Sequence, residues 1–198
     1  LLHVASTQAP AGVIDALASF KRPETIELFI EALKDDFSRN AAENALKQMG
    51  EEAKSALFKI LLTTQGETDK DHPSLLRQRK SAINILSHGS LTAKDWPAVK
   101  ILFSDPDPEI STTAVCMAIQ IAGQNLKKDL LKRLTEKIPF VSWDIHEDIE
   151  NCLVENYHLA KNEIGDQMMK LKTQTEKSQA RDRILHILSN VQRRVGAL

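Results

Sequence analysis

Apolar residues recur along this chain at intervals of three and four, the spacing that places side chains on one face of an α-helix. The clearest copy is the segment 39–50, RNAAENALKQMG, in which Ala42, Leu46 and Met49 mark the apolar stripe. It ends at Gly50, and glycine commonly closes a helix. The same spacing returns in roughly ten segments along the chain, so the pattern predicts a succession of helices without strands.

Turn residues separate the predicted helices. The most polar stretch, residues 63–73, is predicted to be an exposed loop, and prolines interrupt the pattern near residues 23, 105–108 and 139. Ser38 is predicted to cap the helix that begins at Arg39 by accepting backbone N–H hydrogen bonds. The predicted helices cover residues 10–20, 24–34, 39–50, 51–62, 74–86, 92–102, 108–122, 124–138, 144–157, 161–172 and 176–192.

The second helix of each predicted pair aligns on a central residue that is small in four of the six copies. These centres are Val13, Ala42, Ala82, Ala114, Cys152 and Ile184. The residue four positions later is Leu or Ala in every copy except one, where it is Asn156. Small centres let neighbouring helices approach closely, and a unit of this length cannot bury its apolar face alone. We therefore predict an all-α fold of about five stacked helix pairs, forming one domain over residues 1–198.

On these residues the chain resembles the HEAT-repeat family, in particular its short bacterial-type form, over roughly residues 10–192. The resemblance is strongest in the segment 39–50 and in the turn 105–110, DPDPEI. That family often places an arginine three residues before the centre, where it holds the preceding turn. Arginine occupies this place at Arg39, Arg79 and Arg181, whereas the other copies have Pro10, Ser111 and Ile149. The resemblance implies a right-handed α-solenoid (HEAT-like, armadillo-type) that serves as a scaffold or adaptor.

Composition supports a helical chain and limits its partners. Of the 198 residues, 42% are hydrophobic, and only 7 are glycine and 7 proline, which favours helix over sheet. The net charge of −1 argues against a nucleic-acid partner, since phosphate binding needs clustered Lys and Arg. No apolar run reaches the ~20 residues of a membrane span, so we expect no membrane insertion. We expect a cytoplasmic location. The chain lacks an initiator methionine, which leaves open that it is a fragment of a longer protein.

Few residues suggest chemistry. Cys116 and Cys152 are predicted to be buried small hydrophobic side chains in a reducing compartment, with a disulfide or a reactive thiol as alternatives. The segment 144–148, DIHED, is the one place where His and carboxylates crowd. HEAT-like deoxyhypusine hydroxylases ligate iron with several facing His-Glu pairs, but this chain offers one. Acidic residues at a helix start also favour the helix dipole, so we predict no metal and no cofactor.

In a solenoid of this kind the second helices line the concave face, and that face is the predicted binding surface. Its polar residues carry both charges, which suits a protein or peptide partner better than a polyanion. The predicted partner-binding residues are Arg39, Glu43, Lys47, Arg77, Lys80, Asn84, Thr113 and Glu150. The alternative is that each of these residues simply lies on the solvent-exposed face of an amphipathic helix.

The predicted function is that of a non-catalytic scaffold for protein–protein interaction, and no catalytic residue is predicted. The alternative is an enzyme on a HEAT-like scaffold, such as a DNA glycosylase-like or a bilin-lyase-like protein. Trp96, Trp143 and Tyr157 would then supply an aromatic pocket. A glycosylase also needs a basic groove with an acidic residue in its cleft, and the sequence shows only scattered charges.

Overall fold

The computed structural model of the chain describes residues 10–63, 73–173 and 178–196, and these contain 11 α-helices and no strand. The all-α prediction is therefore confirmed for this part of the chain. The chain divides into two compact units, Leu1–Thr92 and Ala93–Leu198. Most of the predicted 63–73 loop lies outside the described residues.

The first unit consists of alternating helices that pack on one another in a regular order. Helix α2 packs on α3 and α4 packs on α5, so consecutive helices form pairs. In addition α1, α3 and α5 pack in series, as do α2 and α4. Its helices are α1 (Ala11–Ala18), α2 (Ile26–Ala32), α3 (Arg39–Met49), α4 (Glu51–Thr63) and α5 (Pro73–Ser87). Fully buried side chains between them include Ile14, Phe29, Leu33, Leu46, Leu57 and Leu61.

The second unit follows a related order, in which α8 packs mainly on α7 and α10. Helix α6 packs on α7 and α10 packs on α11, while the series α7, α9, α11 and the pair α8, α10 connect alternate helices. Its helices are α6 (Trp96–Ile101), α7 (Pro108–Ile121), α8 (Gln124–Lys137), α9 (His146–Glu155), α10 (Tyr157–Thr173) and α11 (Gln179–Gly196). Helix α7 is unusual because each of its residues from Ile110 to Ile119 is buried. Two of its buried hydroxyls donate to the same carbonyl: Thr112 Oγ1 lies 2.6 Å and Ser111 Oγ lies 3.2 Å from the Pro108 oxygen.

The repeat alignment agrees with the burial of the described residues. All six residues four positions after a centre are buried, namely Leu17, Leu46, Leu86, Ala118, Asn156 and Leu188. Asn156, the polar exception, lies at the end of α9, where its Nδ2 donates to the Cys152 carbonyl at 2.9 Å. The prediction that this helix continues to Tyr157 is wrong, because α9 ends at Glu155 and α10 begins at Tyr157.

Local hydrogen bonds explain the helix ends, with two corrections. Phe20, predicted on the apolar face of the first helix, lies beyond the end of α1 and is 64% exposed. The side chain of Ser38 makes no capping bond to α3; instead its Oγ donates to Asp35 Oδ2 at 2.7 Å. Gly50 separates α3 from α4 with φ +57°, as a glycine at a helix end allows. Asp107 caps α7 by accepting from the backbone N–H groups of Glu109 and Ile110.

Candidate functional site

Six of the eight predicted partner-binding residues lie in the first unit, on two helices that pack against each other. Helix α3 carries Arg39, Glu43 and Lys47, and helix α5 carries Arg77, Lys80 and Asn84. Lys47 is exposed and the other five are partly exposed. We call this set of six residues the α3–α5 surface.

Two arginines of the α3–α5 surface meet one acidic side chain. Arg39 Nη1 lies 2.8 Å from Asp36 Oδ1, and Arg77 Nε lies 3.4 Å from the same oxygen. Asp36 belongs to the turn before α3, and Arg77 also donates to the Lys34 carbonyl in this turn, at 3.4 Å. Both arginines therefore hold the turn between α2 and α3, which gives them a structural role.

The two helices are also joined by a shorter polar contact. Ser81 Oγ of α5 donates to Glu43 Oε1 of α3 at 2.6 Å, and this fixes one carboxylate oxygen of Glu43. The side chains of Asn40, Asn44 and Lys47 are exposed on α3. Together with Gln48, which is also exposed, these residues form the accessible polar part of that helix.

The turn before α3 also holds a carboxylate in a defined environment. Asp35 Oδ2 accepts hydrogen bonds from the Ser38 hydroxyl at 2.7 Å and from the Ser38 backbone N–H at 2.9 Å. The hydroxyl bond, followed by smaller contributions, holds the pKa of Asp35 below its ordinary value. This carboxylate stabilises the turn and has no feature of a general acid or base.

The remaining two predicted residues belong to the second unit. Thr113 of α7 is buried, so its side chain offers little surface to a partner. Glu150 of α9 accepts from Asn190 Nδ2 of α11 at 2.9 Å, and its other oxygen lies 3.5 Å from Arg194 Nη1. Arg194 also donates to Asn151 Oδ1 at 2.7 Å. Polar contacts thus join α9 to α11 as Ser81 and Glu43 join α5 to α3.

An aromatic cluster that the sequence did not predict lies at the start of α9. Trp143 is 60% exposed, and its ring centroid lies 4.3 Å from that of His146 and 5.8 Å from that of His186. Arg183 of α11 lies over the same indole and donates to the Val141 carbonyl at 2.7 Å. His146, the centre of the DIHED segment, is therefore a buried ring in tilted contact with the indole of Trp143, with an angle of 58° between the ring planes. No group of three metal-ligating side chains is found within the described ranges.

Trp96, another of the three candidate aromatic residues, has different neighbours. Trp96 packs edge-on against Phe103, with ring centroids 6.2 Å apart, and the Arg133 guanidinium lies 5.1 Å from the Phe103 ring. Lys137, one turn after Arg133, donates to Ser111 Oγ at 2.9 Å, and burial together with Arg133 lowers the pKa of its amine. Trp96 and Trp143 thus have different ring neighbours among the described residues.

The first unit also contains a pocket of about 280 Å³ where the ends of α3 and α5 meet the start of α4. Leu46, Leu57 and Ile85 supply apolar wall, and Lys54 lies in the same lining. Lys54 Nζ donates to the Ser90 carbonyl at 2.8 Å and pairs with Glu51 at 2.6 Å. The ammonium is therefore already satisfied by protein groups.

None of the helices in the described ranges is both long and apolar enough to cross a bilayer. Comparison of the chain with models of protein families, with curated proteins and with solved structures gave no match. The resemblance to HEAT repeats therefore depends only on the sequence features described above.

Proposed function

We propose that the helix pairs stack as a right-handed, HEAT-like α-solenoid and that the chain is a non-catalytic scaffold for protein–protein interaction. The observation that carries the proposal is the packing of alternate helices in series, α1 on α3 on α5 and α7 on α9 on α11. Each series places second helices of successive pairs side by side, which makes a continuous ridged surface. Such a surface suits an extended partner better than a small substrate.

The α3–α5 surface is the proposed binding site in the first unit. It combines the charges of Arg39, Arg77, Lys47 and Lys80 with the Glu43 carboxylate, and Asp36 lies between the two arginines. Charges of both signs, already oriented by contacts within the protein, favour a protein or peptide with a complementary charge pattern. The carboxylates of Glu43 and Asp36 would repel a uniform polyanion.

A charge-reversal experiment tests this proposal. The test variant is Lys47→Glu with Asn44→Glu, because both positions are exposed on α3. Arg39 is left unchanged, since its pairing with Asp36 holds the turn before α3. The matched control is Lys59→Glu with Ser55→Glu, which makes the same change in charge at two exposed positions of helix α4.

The measurement is affinity capture with the wild type and both variants, compared by quantitative mass spectrometry. We expect one protein that the wild type and the control retain and the test variant loses. Purified, that protein should bind the test variant at least about tenfold more weakly by calorimetry, a difference of about 1.4 kcal/mol. Equal binding by all three chains would exclude the α3–α5 surface. Enriched nucleic acid in the wild-type eluate would instead favour the glycosylase-like alternative.

A further inference from the structure

The pocket of about 280 Å³ in the first unit has an aliphatic wall to which three helices contribute. Leu46 comes from α3, Leu57 from α4 and Ile85 from α5, and each of these residues is at most 5% exposed. Such a wall favours the aliphatic part of a ligand. A water molecule occupies about 30 Å³ in the liquid, so the pocket has room for about nine atoms of similar size.

The polar groups of the lining favour an anion. Among the lining residues that the structure describes, Lys47 and Lys54 are basic and Glu51 is acidic. Gly50 and Glu51 of the lining lie at the start of α4, a helix of 13 residues, and the N-terminus of a helix favours negative charge. An aliphatic ligand with an anionic end therefore matches both parts of the pocket.

Lys54 is the buried cation of the lining, since this residue is 8% exposed. Its Nζ donates to the Ser90 carbonyl at 2.8 Å and lies 2.6 Å from Glu51 Oε2. The Ser90 carbonyl belongs to the backbone, whereas the side chain of Glu51 is 76% exposed and can turn into water. An ion pair with so exposed a partner contributes little stability, so its exchange costs little. The ammonium thus holds a carboxylate in a place that a carboxylate from solution can take.

We propose that this pocket binds an aliphatic carboxylate of medium chain length, for which hexanoate is the representative. The carboxylate of the ligand replaces that of Glu51 at the Lys54 ammonium, and the alkyl chain lies against the aliphatic wall. Hexanoate is close to the size that the pocket volume allows. Glu51 is then a competitor built into the chain, so its removal should strengthen binding.

The test titrates the whole isotope-labelled chain with hexanoate and follows the backbone amide signals by two-dimensional NMR. We expect saturable shifts with a Kd on the order of 1 mM or below, and the largest shifts at residues of the pocket lining. Hexanol has the same chain without the charge, and acetate has the charge without the chain. Each should bind at least about tenfold more weakly than hexanoate.

Two adjacent acidic residues at the start of α4 provide a matched pair of variants. Glu51→Gln removes the competing carboxylate and should strengthen hexanoate binding about three- to fivefold. Glu52→Gln removes the same charge at an exposed position outside the lining, so it should change the Kd by less than about twofold. Lys54→Met removes the ammonium and should weaken binding at least about tenfold.

Several outcomes would overturn the proposal. They are an absence of saturable shifts with hexanoate, largest shifts outside the pocket lining, and hexanol binding as tight as that of hexanoate. Equal affinities of Glu51→Gln and Glu52→Gln would overturn it as well. The amide spectrum of each variant without ligand shows whether it is folded. If Lys54→Met does not fold, the comparison of the two glutamine variants decides, because both changes lie at exposed positions.

Discussion

Two glycines allow a test in which the same substitution, glycine to alanine, has opposite effects on the stability of the fold. Gly50 joins α3 to α4 with φ +57° and ψ −118°, a conformation that residues with a side chain rarely adopt. Gly165 lies at an exposed position inside helix α10. A Cβ atom built at either glycine meets no other heavy atom of the described chain within 4 Å. The effect of alanine at each place is therefore set by the backbone and not by crowding.

The expected magnitudes follow from the two conformations. Gly50→Ala forces alanine into a disfavoured region and should lower the free energy of unfolding by about 1–3 kcal/mol. Gly165→Ala removes the conformational entropy cost of glycine within a helix and should raise it by about 0.5–1 kcal/mol. The two variants should thus differ by about 1.5–4 kcal/mol although each adds one methyl group.

Urea unfolding followed by far-UV circular dichroism measures both changes against the wild type. At the melting temperature the same difference corresponds to at least about 3 °C for a chain of this size. If Gly50→Ala proved as stable as the wild type, the positive φ at the α3–α4 junction would be refuted. A loss of stability for Gly165→Ala would likewise contradict a regular helix at the middle of α10.

Three further changes test other parts of the fold. The Ser38 hydrogen bonds lower the pKa of Asp35, so their stabilisation is fully present above about pH 4 and is lost as pH falls through the lower folded pKa. The urea midpoints of wild type and Asp35→Asn should therefore differ at neutral pH and converge in acid. Ala42→Leu should cost about 1–3 kcal/mol at a fully buried centre, against a change within about 0.5 kcal/mol for Gln48→Leu at an exposed position of α3. Asn156→Ala should cost about 0.5–1.5 kcal/mol in thermal unfolding, because it removes the buried side-chain hydrogen bond to the Cys152 carbonyl, which keeps only the Asn156 backbone N–H at 3.3 Å.

The existence and order of the helices could be predicted from the sequence because apolar residues recur within each helix at intervals of three and four residues. The residue four positions after each centre is buried in all six copies, so the alignment identified one set of buried positions. Ends were harder. Asn156 appeared as a mismatch in the alignment, whereas in the structure it ends one helix and lets the next begin one residue later.

The pairing of polar residues could not be predicted. Ser81 and Glu43 meet across two helices, and so do Asn190 and Glu150, and in each case the partners are tens of residues apart. The spacing within one helix places a side chain on a face but gives no register against the neighbouring helix. Thr113 shows the same limit, because its polarity suggested an accessible surface and the structure buries it.

Every residue of helix α7 from Ile110 to Ile119 is buried, and this determines how the backbone amides of α7 can exchange with solvent. The backbone amides of an amphipathic helix can exchange with solvent through local fraying of its exposed edge. Those of α7 have no such edge, so their exchange requires the surrounding helices to separate. The deuterium uptake of this one segment should therefore report the cooperative opening of the whole unit.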